Sequence, residues 1–148
     1  MLKSNVLMTV MAFDYGTRRV GIAVGNSVTK AGEALKTITA ANSDALFRDI
    51  ESLLADWHPN QLVVGRPTHP DGTPHEMTAK ATRFGNQLHG RFQLPVAWVD
   101  ERYTSAVLAG DARMRDNLDA NSAALILEQY FSELETSLES NLDTKTVD

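Results

Sequence analysis

The chain has 148 residues, 43% of them hydrophobic and 22% charged, with no cysteine and a net charge of −5. That length suits one domain with a sound core and is too short for two. The absence of cysteine excludes disulfides and thiolate chemistry, and no apolar run is long enough to span a membrane.

The segment "VLMTVMAFDYGTRRVGIAVG" opens the body of the chain. Val6 to Phe13 reads as a strand closed by Asp14, with Gly16, Arg18 and Arg19 in the turn and Arg19 to Val24 as the returning strand. The residues before it interleave Ser, Asn and Thr with apolar side chains and offer no small-residue cleavage site. They belong with the strand, and a cytosolic protein is expected. Glu33 to Ile38 is a weaker third strand of the same meander.

Ser43 is placed to cap a helix whose apolar positions Leu46, Ile50, Leu53, Leu54 and Trp57 recur at helical spacing. "QLVVGRP" is a short buried strand running into a Gly-Pro-rich loop, and Met77, Ala81, Phe84 and Leu88 mark a second helix. "PVAWVDER" gives the fifth strand, a segment of mixed helical character follows from Tyr103 to Asp116, and Ala123, Ile126, Leu127, Tyr130 and Leu134 trace a last amphipathic helix. Three meander strands followed by alternating helices and strands imply an α/β fold, with a mixed five-stranded sheet flanked by helices in three layers. Residues 1–135 form the expected domain and 136–148 an acidic tail expected to be disordered.

The acid excess is concentrated at this end. From Ser132 on, Glu133, Glu135, Glu139, Asp143 and Asp148 stand against Lys145 alone, which leaves the remaining body at −1. A local basic surface for nucleic acid is therefore compatible with the composition.

Carboxylates mark the ends of the elements. Asp14 closes the first strand, Asp100 and Glu101 close the fifth, and Asp119 opens the last helix. Ligand sites form at strand ends in such sheets, and converging carboxylates repel one another unless a cation compensates. Hard oxygen ligands select Mg²⁺ or Mn²⁺, and two such ions form the usual centre for cleaving a phosphodiester. Each residue also has a plain structural reading: Asp14 as a turn residue, Asp119 as a helix cap, "DER" as a surface ion-pair cluster.

Together, "MAFDYGTRRVGIAVG", "VVGRPTHPDGTPHEMTAKATRFGNQL", "VDERYTSAVL" and "DANSAALILEQYF" resemble the YqgF (RuvX) family, known as Holliday junction resolvases and as nucleases that process the 5′ end of pre-16S rRNA. The resemblance runs from about Val6 to Phe131. It implies a ribonuclease H-like fold, a bacterial cytosolic nuclease, and metal ligation by Asp14, Glu101 and Asp119. Asp100 is the alternative to Glu101; it shares a strand face with Val96 and Trp98, Glu101 shares one with Ala97 and Val99, and one of the two enters the site. Many relatives carry a longer lysine-rich loop before the last Asp, where this chain has "GDARMRDNLD" with Arg113 and Arg115.

On that reading Asp14 bridges two metal ions from a rigid strand, and Gly16 leaves room for a phosphate. The nucleic-acid contacts expected are Arg18 and Arg19 beyond the turn, Arg66 in the loop after the fourth strand, Lys80, Arg83 and Arg91 along the second helix, and Arg102 beside the "DE" pair. The partner expected is a structured RNA precursor or branched DNA, with the small ribosomal subunit in the first case and no membrane in either. His69, Asp71, His75 and Glu76 match no familiar ligand spacing. "DYGTRRVGIAV" also looks like the first phosphate motif of the actin, Hsp70 and sugar-kinase ATPases, but those close two copies of the domain over ATP and this chain has one. A non-catalytic RNA- or ribosome-binding module is the remaining alternative; it has no use for three carboxylates.

Overall fold

A computed structural model describes residues 8–16, 18–67, 76–100 and 118–147, with the backbone alone at 76, 118, 119 and 136–147. The elements run β1 (Thr9–Tyr15), β2 (Arg19–Asn26), β3 (Gly32–Thr39), α1 (Ser43–Trp57), β4 (Gln61–Arg66), α2 (Glu76–Phe92), β5 (Val96–Asp100) and α3 (Leu118–Val147). They form one five-stranded sheet in the order β3-β2-β1-β4-β5. The meander is antiparallel, while β4 pairs parallel to β1 and β5 parallel to β4.

The period-two alternation of the strands sorts the core into two layers. On one face Met11, Phe13, Val20, Ile22, Leu62 and Val64 meet α1 through Phe47 and Ile50 and α2 through Phe84 and Leu88. Phe13 meets Phe84 edge-on at 5.8 Å, a geometry worth ~0.5–1.5 kcal/mol beyond area burial. On the other face Val10, Ala12, Ala23, Val63 and Val99 pack against Ala123, Ile126, Leu127 and Phe131 of α3. The sheet thus lies between two helical layers, as the element order implies.

Small residues decide how closely α3 approaches. A Cβ on Gly32 would lie 2.4 Å from the carbonyl oxygen of Ala124, inside contact distance with backbone that cannot turn aside. Only glycine lets the helix sit this low over β3. The start of α3 is thereby brought onto the sheet, where Ala120 and Asn121 line a cavity of about 370 Å³ with Lys36 and Thr37 of β3.

Three local expectations differ from the structure. The cap of α1 is Asn42, whose side chain accepts from the Ala45 amide at 2.9 Å, and Ser43 is the first helical residue. Both residue types cap well, so composition could not choose between neighbours. Trp57 and Leu134 end their apolar stripes but are 41% and 38% exposed; each lies where its helix has run beyond the sheet. Finally, α3 continues as helix to Val147, through the segment read as a disordered tail. No glycine or proline follows Asp119 to break it.

Candidate active site at the sheet rim

Asp14 lies near the C-terminal end of the central strand, and its neighbours are what distinguish it. Its partner on β2 is Gly21. On the β4 side Phe13 pairs with Val64, so the next position beside Asp14 is Gly65. A half-buried carboxylate is therefore flanked on both strands by residues without side chains, which leaves space around its oxygens.

Strand parity gives the face. Asp14 alternates with Phe13 and Tyr15 and so shares its side with Val10 and Ala12, the side covered by α3. The level also matches: Asp14 pairs with Gly21 and Gly21 with Thr37, and Thr37 lines the cavity closed by Ala120 and Asn121. The first turn of α3, containing Asp119, thus starts at the level of Asp14. The backbone of Asp119 lies near the start of the described part of α3.

The same parity separates the two carboxylates of "DER". Val99 belongs to the α3 face and Trp98 packs on the α1–α2 face. Asp100 therefore falls with Trp98, away from Asp14, and is the Cα partner of Arg66. Glu101 and Arg102 lie outside the described residues, as do Arg113, Arg115, His69, Asp71, His75 and the side chains of Glu76 and Asp119. Among the described residues no three His, Cys, Asp or Glu side chains come together as a metal cluster. The Asp14 carboxylate itself is an oxygen ligand of the kind a hard divalent cation takes.

The basic residues divide between the two faces. Arg19 alternates with the buried Val20 and lies on the Asp14 side of β2. Arg18 instead lines a hollow with Tyr15 and Ser43 on the α1 side. Gly16 has a local reason to be glycine: its amide donates to the Arg19 carbonyl at 2.9 Å, and a Cβ would come within 2.8 Å of that oxygen. It closes the hairpin, a role the phosphate-approach reading overlooked. The Arg66 guanidinium stacks over Trp98, 4.9 Å from the ring centroid, and Arg91 lies over Phe47 at 4.2 Å. Both cations therefore pack on the α1–α2 side, away from Asp14. Lys80 and Arg83 line an open cleft with Gln87.

Burial raises the Tyr130 phenol, but Tyr130 lies about three turns along α3 from Asp119, well away from the rim.

Comparison with known proteins decides the family. The family model described as "RuvX: Holliday junction resolvase" matches residues 8–133. The chain belongs to the RuvX family. Similar relatives carry the name "Putative pre-16S rRNA nuclease": one from Polynucleobacter necessarius is 79% identical over the whole of both chains. Another, from Burkholderia vietnamiensis, is 52% identical over 85% of this chain and 90% of its own. Among solved structures, Thermus thermophilus RuvC in complex with a Holliday junction substrate superposes with a TM-score of 0.53 at 16% identity, over 87% of this chain and 96% of its own. That likeness establishes the ribonuclease H-like fold of this RuvX family member. Among the described residues no helix is long and apolar enough to cross a membrane.

Proposed function

We propose that this RuvX family member is a cytosolic, metal-dependent nuclease that hydrolyses phosphodiester bonds in the 5′-end processing of pre-16S rRNA. The observation that carries the chemistry is the placement of Asp14. It stands between Gly21 and Gly65 on the central strand, on the sheet face covered by α3. Asp14, Glu101 and Asp119 would hold Mg²⁺ or Mn²⁺. A pair of such ions, when bound, supplies an activated water and neutralises charge at the phosphate.

The protein's own part is positioning. Asp14 is fixed in a ladder with neighbours on both sides, so its oxygens keep their place. Asp119 and Glu101 would approach from separate elements, and the glycines on either side of Asp14 leave the phosphate a path to them. Arg19, on the same face, would hold a neighbouring phosphate.

The RNA substrate and the small-subunit partner rest on the names of the relatives, above all the one 79% identical over its full length. A second reading, resolution of Holliday junctions, is favoured by the family description. The test offers the purified protein with Mn²⁺ a 5′-extended pre-16S RNA, a four-way DNA junction and unstructured RNA side by side. Cleavage of the precursor should exceed that of the junction by at least about tenfold, a difference of roughly 1.4 kcal/mol in activation free energy. A reversed preference would favour the second reading. Tight binding without cleavage of any substrate would leave a non-catalytic module.

A further inference from the structure

On the sheet face away from Asp14, two hollows adjoin and share Tyr15 and Ser43 as walls. The smaller, about 180 Å³, is bounded also by Arg18. The larger, about 350 Å³, is bounded by Lys80, Arg83 and Gln87. Among the described residues no carboxylate lines either hollow, although the chain as a whole carries −5. The ion pair of Lys30 with Glu135 lies elsewhere. Three cations around a common cleft, with no acid among its described walls, repel one another, and a bound polyanion relieves that repulsion.

The other walls suit the same guest. Ser43 opens α1, and the first amides of a helix lack intrahelical partners; the Ala45 amide is taken by Asn42, which leaves those of Ser43 and Asp44 at the mouth. The Asp44 side chain, on the same turn, is not a wall of either hollow. Tyr15 is held with one ring face stacked on Phe84 at 4.6 Å. Tyr15 is also the next residue after Asp14, so at the end of β1 the chain presents the carboxylate to one face and the cleft to the other.

We infer that this cleft seats the phosphodiester backbone of a single strand flanking the cleaved bond, led over the sheet rim from Asp14. Hollows of these sizes, closed by α1 and α2, admit a phosphate and a nucleotide but not a stacked duplex. Arg18, Lys80 and Arg83 pair with successive phosphates, as in other grooves that track a single strand. The inference deepens the nuclease reading and rests on it.

The test measures binding without cleavage, in an Asp14→Asn background, by fluorescence anisotropy with a labelled 20-nucleotide single strand, as RNA and as DNA, and with the matching duplexes. Adding Lys80→Gln and Arg83→Gln should weaken single-strand binding about tenfold or more, and should flatten the slope of log K against log salt by about 1.4, since each lost contact removes about 0.7. Lys80→Arg with Arg83→Lys, which keeps the charges, should retain both affinity and slope, with circular dichroism checking the fold. Parent-like affinity and slope in the double glutamine variant would overturn the inference. So would a loss confined to the duplexes, or a parent that binds no single strand. Failure of the wild-type protein to cleave would count against the nuclease reading alone, because this measurement needs no turnover.

Discussion

Asp14→Asn is expected to lower Mg²⁺- or Mn²⁺-dependent cleavage by more than about a hundredfold while leaving the protein folded. Asparagine keeps the shape of the side chain and one carbonyl oxygen but loses the negative charge that holds a hard divalent ion. Altering a group that merely orients a metal ligand typically costs ~10–100-fold, so loss of a central ligand should exceed that range. Folding should survive, because Asp14 joins the sheet through its backbone, paired with Gly21, and asparagine has the same size and shape. The comparison is single-turnover cleavage of the preferred substrate at saturating Mn²⁺, with far-ultraviolet circular dichroism of both proteins. A variant within a few-fold of wild type would remove Asp14 from the site.

The second large effect separates adjacent residues. Glu101→Gln should reduce cleavage about as severely as Asp14→Asn, whereas Asp100→Asn should stay within about threefold of wild type. The asymmetry comes from the two-residue period of β5: Val99 packs toward α3 and Trp98 toward α1 and α2, so Asp100 turns away from Asp14, which leaves Glu101 as the proposed ligand. Asp100 has Arg66 as its register partner on that other face. The two variants differ from wild type by one charge each, so a general electrostatic effect would act on both alike. If Asp100→Asn were the damaging change, the strand would have to bulge after Val99 and reverse its alternation.

The strands were legible in the sequence because burial on both faces writes them as apolar runs, as in "VMAF" and "LVVG". The antiparallel meander and the mixed, helix-flanked sheet followed from the element order, while the strand order β3-β2-β1-β4-β5 came from the structure. The carboxylates were visible at the ends of elements, but what surrounds Asp14 was not. Gly21 and Gly65 become its neighbours only through strand register, and a glycine inside an apolar run gives no local sign of which residue it will face. Arg66 and Arg91 were indistinguishable from other phosphate-binding candidates for the same reason: their partners Trp98 and Phe47 lie on distant segments. The stripe of Lys80, Arg83, Gln87 and Arg91 was legible as a helix face, yet whether it faced solvent or a cleft depended on where Tyr15 and Ser43 were brought. Ser43 itself is available to that cleft because Asn42 took the capping role.

The central claim is that the rim beside Asp14 is a divalent-cation site, and the melting temperature with and without metal tests it most directly. A cation that binds the folded state alone, at about a hundred times its dissociation constant, stabilises by ~2.7 kcal/mol, which for a chain of this size raises the melting temperature by roughly 5–10 °C. The wild-type protein should show that rise with Mg²⁺ or Mn²⁺, and Asp14→Asn should not. An equal rise in both proteins, or none in the wild type, would contradict the account.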